Sequence, residues 1–83
     1  MQQPEWVVKK VTPNKDYTLV VEFHDGNVKK IDMKPVIAEG GVFEPLNNIA
    51  FFMLAKTDGC TVIWNDKIDI APEYLYEHGE PLN

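Results

Sequence analysis

The chain has 83 residues, a formal net charge of −5 and 45% apolar residues, which is typical of one small folded domain and excludes a disordered chain. It contains no arginine, so it lacks the basic footprint of a nucleic-acid-binding domain. A single cysteine, Cys60, excludes an internal disulfide, and its flanks predict a buried, unreactive thiol. No signal peptide or membrane-spanning run is expected in this sequence, which favours the cytoplasm.

The first part of the chain predicts antiparallel strands. Residues 6–12 are rich in β-branched side chains and predict a first strand, which a turn over residues 13–16 ends. Apolar and polar side chains alternate in residues 17–23, as expected of a half-buried strand. The dipeptide Asp25-Gly26 follows and favours a tight turn, so residues 17–33 predict a β-hairpin.

Short helical pieces are predicted next. Pro35 is suited to the first turn of a helix, which Gly40-Gly41 would end. Residues 43–46 are expected to be irregular, with apolar side chains that anchor them to the core. Either Asn47 or Asn48 is placed to cap a further helical turn over residues 49–51.

The apolar run over residues 49–55 has three interpretations: a buried strand, a helix or an interface. Residues 52–57 favour a strand, although alanine, methionine and leucine also suit a helix. A strand without polar alternation needs cover on both faces. The run therefore predicts cover by a helix or by a second copy of the chain, as in a homodimer.

The last third of the chain predicts a second hairpin and a closing helix. Asp58-Gly59 is a turn before a strand over residues 60–64, and a short strand around Asp69 follows. Residues 71–77 predict a helix that Asp69 caps from upstream and Gly79 ends.

These elements predict one α+β domain over residues 1–83, with a core over 5–77 and a tail over 78–83. Its small sheet is expected to hold about five strands, mostly antiparallel because both Asp-Gly links are too short for a parallel crossover. Two or three short helices accompany the sheet.

An ordered set of short motifs runs along the chain. They lie in residues 19–26, 32–35, 43–46, 63–64 and 69–76. In this order they resemble the bacterial domain-of-unknown-function family 2442, over roughly residues 5–77. The resemblance implies a compact α+β domain without an established activity. For some members it also implies that the gene lies beside a second small gene, in toxin–antitoxin-like pairs. For some it implies an added helix-turn-helix in the protein.

Candidate catalytic and metal-binding residues are few. His24 is expected in a solvated turn, His78 at the end of the last helix, and neither is positioned by the sequence to activate Cys60. Serine is absent, which excludes a serine hydrolase. Three acidic residues have the oxygen ligands that calcium or magnesium would need: Asp25, Asp66 and Asp69. Their spacing is not that of a metal-binding loop, so no catalytic, cofactor or metal site is predicted.

The sequence therefore favours a non-catalytic protein-interaction domain, the acidic partner of a basic protein, over an enzyme. Nucleic acid and membrane partners are not expected. Trp64 is predicted in the core, which is favoured over a place on a binding surface. Tyr74 and Tyr76 are two residues apart on a helix, so they cannot both face the core. The candidate interaction residues are Phe51, Met53, Trp64, Tyr74 and Tyr76. The alternatives are a small DNA-binding regulator and an enzyme that uses Asp69, His24 or Cys60.

Overall fold

The computed structural model describes residues 6–65 and 68–82, which form an α+β fold with antiparallel pairing, as predicted. Within these residues the strands are β1 (Val8–Pro13), β2 (Thr18–Phe23), β3 (Val28–Asp32), β4 (Lys56–Thr57), β5 (Val62–Asn65), β6 (Ile68–Ile70) and β7 (Glu80–Pro81). The helices are α1 (Lys34–Ala38), a 3₁₀ helix (Gly41–Asn47), α2 (Ile49–Phe52) and α3 (Pro72–His78). The structure describes more strands than the predicted five, since it includes β4 and β7, which are each only two residues long. The strands divide between two sheets.

The first sheet has the strand order β1-β2-β3-β7. Its centre is the predicted hairpin, in which Thr18 pairs with Asp32 and Glu22 with Val28. Gly26, in the turn between β2 and β3, has a φ of 91°, a conformation that glycine adopts without the strain a side chain brings. The Asp-Gly signal therefore identified both strands and the link between them.

The second sheet has the order β4-β5-β6 and adjoins the edge of β1. The backbone N–H of Val8 donates to the carbonyl of Cys60 at 3.0 Å, which joins the two sheets. The predicted Asp58-Gly59 turn is present, and its carboxylate accepts hydrogen bonds from the backbone N–H groups of Cys60 and Thr61, both at 2.9 Å. These bonds hold the pKa of Asp58 below its ordinary value of 3.8.

Cys60 is exposed, so the prediction of a buried thiol is wrong. The strand was expected to begin at this residue, but β5 begins at Val62. Cys60 belongs instead to the turn that Asp58 organises, outside the buried face of the sheet.

The apolar run over residues 49–55 folds as α2 and the turn after it, so the predicted strand over residues 52–57 is wrong for all but its last two residues. Asn48 caps α2, because its side-chain oxygen accepts from the N–H groups of Ala50 and Phe51 at 2.9 and 3.4 Å. The cap favours a helical turn over an extended chain, although Ala50 is the one strong helix former in α2. The argument for a second copy that covers a strand on both faces therefore no longer applies.

Helix α3 covers Pro72–His78, one residue later at each end than the predicted 71–77, and it ends before Gly79 as predicted, but Asp69 does not cap it. Asp69 is the middle residue of β6, where it pairs with Ile63 and is exposed. The alternation of the strand turns its side chain to solvent, while Ala71 precedes the helix without a side-chain cap.

Part of the predicted tail is a strand. In β7, Glu80 pairs with Lys30 of β3, and the N–H of Leu82 donates to the carbonyl of Val28 at 2.8 Å. The chain after α3 therefore covers the outer edge of β3.

The core lies between the sheets and the helices. Trp64 is only 3% exposed, which confirms its predicted place in the core, and its indole N–H donates to the carbonyl of Phe52 at 3.0 Å. The largest fully buried side chains are those of Phe23, Phe52, Leu19, Ile31, Met33, Leu46 and Leu75. Across the described residues, the helices are too short to cross a membrane.

Candidate functional site

A groove of about 320 Å³ opens beside α1. Its lining residues are Tyr17, Lys34, Ile37, Ala38 and Asn47. Three of them, at positions i, i+3 and i+4 of α1, fall on one face of the helix. Ile37 is nearly buried and forms the floor, while Lys34 and Ala38 are exposed at its side.

A second depression, of about 500 Å³, adjoins the first at Asn47. Its other lining residues belong to the 3₁₀ helix and the cap of α2: Gly41, Glu44, Pro45 and Asn48. We call the two depressions together the α1–3₁₀ groove. Its first part is mainly apolar, and its second part is more polar and carries a carboxylate.

Tyr17 fixes one wall of this groove. Its hydroxyl donates to the carbonyl oxygen of Asn47, and its ring packs at 5.2 Å, between centroids, against Phe52 of the core. Tyr17 has a φ of 64°, which is uncommon for a residue with a bulky side chain. Such backbone strain persists where the surrounding structure holds the residue in place, and it is often found at functional sites.

The chain between α1 and the 3₁₀ helix depends on two glycines. Gly40 and Gly41 have φ values of 73° and 62°, in the region that side chains disfavour. They let the chain leave α1 and return over Ile37, whose carbonyl accepts from the N–H of Gly40 at 3.0 Å. The groove is thus built on irregular backbone held by short-range hydrogen bonds, the setting in which binding residues are common.

The groove carries one charge of each sign. Lys34 lines its first part and Glu44 its second part, and both are exposed. In residues 6–65 and 68–82 the ion pair found is Lys9–Glu22, at 3.5 Å, so neither groove charge is paired there. Both remain available to a ligand.

A second cluster joins the tip of the first hairpin to α3. The hydroxyl of Tyr76 donates to Asp25 and accepts from the amide of Asn27 at 3.1 Å. The Nζ atom of Lys29 lies 3.8 Å from the centre of the Tyr76 ring and donates to its carbonyl oxygen at 2.5 Å. These side chains satisfy one another, which indicates that the cluster, here called the hairpin–helix clamp, stabilises the fold.

The five candidate interaction residues have different surroundings. Phe51 and Met53, in α2 and the turn after it, are half-buried against the core. Trp64 is buried, and Tyr76 belongs to the hairpin–helix clamp. Tyr74 is half-buried and stacks on the His78 ring at 4.1 Å between centroids.

The residues considered for catalysis lie on separate elements. His24 is exposed at the hairpin tip, His78 is exposed at the end of α3, and Cys60 lies in the Asp58 turn. Asp66 lies outside the described residues. Within the part of the chain that the structure describes, no three histidine, cysteine or acidic residues are grouped to hold a metal ion.

Sequence reasoning did not select the residues of the groove. The sequence predicts Tyr17 in a strand, but β2 begins only at Thr18. Asn47 is one of two candidate helix caps, and Lys34 is given no role in a site. The signals that could have pointed here are Gly40-Gly41 and Pro45, since irregular segments rich in these residues often carry binding sites. These residues come close to Tyr17 only in the folded chain, and local sequence patterns carry no information about that contact.

Four of the five motifs that carry the family resemblance meet in two places. Residues 19–26 and 69–76 supply Asp25 and Tyr76 to the hairpin–helix clamp. Residues 32–35 and 43–46 supply Lys34, Glu44 and Pro45 to the α1–3₁₀ groove. One pair of motifs thus stabilises the fold, and the other pair borders an open surface.

Comparison with known proteins gives a single assignment. A search of curated proteins found no match, and a search of solved structures found none. The family model of DUF2442, described as a protein of unknown function, matches residues 8–81. This match covers nearly the whole chain and confirms the resemblance seen in its motifs. The chain therefore belongs to the DUF2442 family of proteins of unknown function.

Proposed function

We propose that this protein is a cytoplasmic, non-catalytic interaction domain that binds a second protein through the α1–3₁₀ groove. One observation carries this proposal: an open groove with an apolar floor is held in shape by the bond between Tyr17 and Asn47. Preformed concave surfaces with a few polar groups around an apolar centre are typical of binding sites.

The distribution of charge supports a partner that is basic overall. Residues 39–83 hold eight acidic residues against two lysines, a formal balance of −6, whereas residues 1–38 have six lysines against five acidic residues. On α3, Glu73 and Glu77 are both exposed and lie four residues apart. Like charges at this spacing destabilise a helix slightly, and Glu77 also lies near its negative end. An opposing basic surface would offset both effects.

The family resemblance supplies a candidate partner. In the toxin–antitoxin-like arrangement that it implies for some members, the protein encoded by the adjacent gene would be the partner. We propose that this neighbour is the basic protein that binds the groove.

The test is a binding titration with the purified product of the adjacent gene. Ala38→Trp places a bulky side chain in the groove, and Ala71→Trp places the same side chain at another exposed alanine. We expect at least a tenfold weaker affinity for the Ala38→Trp variant and wild-type affinity for Ala71→Trp. Equal affinities for the two folded variants, or no binding by the wild-type domain, would contradict the proposal.

Light scattering tests a second copy of the chain as the occupant of the groove. A wild-type mass of one chain is expected. A dimer that Ala38→Trp converts to a monomer, and that Ala71→Trp leaves intact, would replace the adjacent gene's product with a second copy as the partner.

A further inference from the structure

The α1–3₁₀ groove has a mainly apolar part and opposite charges in its two parts, which defines the kind of segment it accepts. Resting on the proposed function, we infer that the groove recognises an extended segment of the partner in which one apolar side chain separates an acidic group from a basic side chain. The acidic group faces Lys34, and the basic side chain faces Glu44.

The shape of the first part of the groove is the reason for an apolar side chain in the middle of the bound segment. Its floor and walls are the ring of Tyr17 and the side chains of Ile37 and Ala38. The hydroxyl of Tyr17 is already bonded to the carbonyl of Asn47, so the ring presents carbon atoms to the groove. About 320 Å³ is at the lower end of the range for small-molecule sites. It suits one large apolar side chain.

The two charges give this segment an order. Lys34 lines the first part and not the second, and Glu44 lines the second part and not the first. Asn47 lies where the two parts adjoin. A segment with its acidic group at the Glu44 end would meet like charge at both ends, whereas the opposite order would meet unlike charge at both.

These contacts act on selectivity more than on affinity. Exposed ion pairs contribute little to binding strength, but like charges that face each other exclude a wrong partner or a wrong register. The apolar side chain therefore supplies affinity, and Lys34 and Glu44 choose the order of charges. Such a division predicts that reversing the sign of either groove charge changes which peptide charges the groove prefers, while the fold remains.

The probes are three capped pentapeptides, Lys-Gly-Leu-Gly-Glu, Lys-Gly-Leu-Gly-Lys and Glu-Gly-Leu-Gly-Glu, with acetylated and amidated ends. Titration into the isotope-labelled domain, followed by amide NMR shifts, measures each affinity. We expect Lys-Gly-Leu-Gly-Glu to bind at least threefold more tightly than either peptide with like charges, with the largest shifts at Ile37, Ala38 and Asn47. A fourth peptide, Lys-Gly-Gly-Gly-Glu, is expected to lose most of the binding.

The decisive variants reverse one groove charge each, Lys34→Glu and Glu44→Lys. We expect Lys34→Glu to prefer the peptide with two lysines and Glu44→Lys to prefer the peptide with two glutamates, and circular dichroism checks that both variants are folded. Equal binding of the three peptides by the wild-type domain, no shifts at millimolar peptide, or unchanged preferences in the variants would overturn the inference.

The Ala38→Trp variant and the peptides together separate this inference from the proposed function. If Ala38→Trp weakens binding of the adjacent gene's product but the peptides show no charge preference, the groove binds a protein and the inferred segment is wrong. If Ala38→Trp has no effect on that protein, the proposed function is wrong.

Discussion

The hydroxyl of Tyr76 donates a hydrogen bond of 2.6 Å to a carboxylate oxygen of Asp25, across 51 positions of sequence. This bond connects the closing helix to the tip of the first hairpin. The ring of Tyr76 also meets Phe23 edge to face, with 4.9 Å between the ring centroids. Because Asp25 and Tyr76 come from two of the family motifs, the relationship gives those motifs a structural reason.

Tyr76→Phe removes the main cause of the low pKa of Asp25. The Tyr76 hydroxyl and then the backbone N–H of Asn27 hold this pKa below its ordinary value of 3.8. A lowered pKa in the folded state gives stability that is complete above the ordinary value and is lost as the pH falls through the folded value. The variant should therefore lose less stability between about pH 4 and about pH 2. Urea unfolding across this range measures the difference.

Tyr74→Phe is the matched control, since it removes a hydroxyl from the same helix without touching Asp25. It should show the wild-type dependence on pH. Asp16 and Asp58 also have lowered pKa values, so part of the acid loss of stability should remain in both variants. An identical pH dependence in Tyr76→Phe and wild type would contradict the role given to the Tyr76 hydroxyl.

We expect a large loss of stability when the buried side chain of Trp64 is removed. Trp64→Ala removes a buried ring that packs against Phe52 and should lower the free energy of unfolding by about 3–5 kcal/mol. Since folded domains are stable by only about 5–15 kcal/mol, the variant should unfold at a much lower urea concentration than wild type. Trp6→Phe, at a residue 39% exposed, is the control and should change stability by less than about 0.5 kcal/mol. Circular dichroism during urea unfolding compares them.

The strands and their links could be predicted from local chemistry. In the hairpin of β2 and β3, alternation assigned the buried face and Asp25-Gly26 assigned the turn. The same dipeptide chemistry located the turn at Asp58-Gly59. Links this short, over residues 24–27 and 58–61, determine which strands are neighbours, so these pairings follow from a few consecutive residues.

Other parts depend on contacts that local patterns do not contain. Residues 49–55 suit either a helix or a strand by propensity, and the cap from Asn48 with the burial of Phe52 decides for a helix. Cys60 is exposed because β5 begins two residues later than the pattern suggested. The groove could not be predicted because Tyr17 and Asn47 meet only in the folded chain.

Cys60 is expected to react with a thiol reagent in the native protein, because its side chain is exposed. The rate under native conditions should be within about threefold of the rate in urea, where a buried thiol would be slower by orders of magnitude. Absorbance of the released thiolate of an aromatic disulfide reagent gives both rates. Protection that disappears only on unfolding would show that the thiol is buried after all.

Asn48 tests the cap that makes residues 49–52 helical. Asn48→Ala removes the oxygen that accepts from Ala50 and Phe51, and should cost about 1 kcal/mol of stability. Asn48→Asp keeps an accepting oxygen at the same place and should stay within about 0.5 kcal/mol of wild type. Urea midpoints rank the three proteins. An alanine variant as stable as wild type would mean that packing of Phe52 alone holds the helix.

Gly79 gives the sharpest test of the strand that follows α3. A Cβ atom at this position would lie 2.7 Å from Cβ of Lys29, 2.9 Å from the carbonyl oxygen of Leu75 and 3.2 Å from Cγ1 of Ile31. Since two of these atoms are held by backbone, Gly79→Ala should push β7 away from β3 and cost about 1–3 kcal/mol. Hydrogen exchange at the N–H of Leu82 should then become faster, while Glu80→Ala, which changes the same strand without a clash, should leave it protected. Equal protection of Leu82 in the two variants would mean that β7 tolerates the added methyl group by moving as a unit with α3.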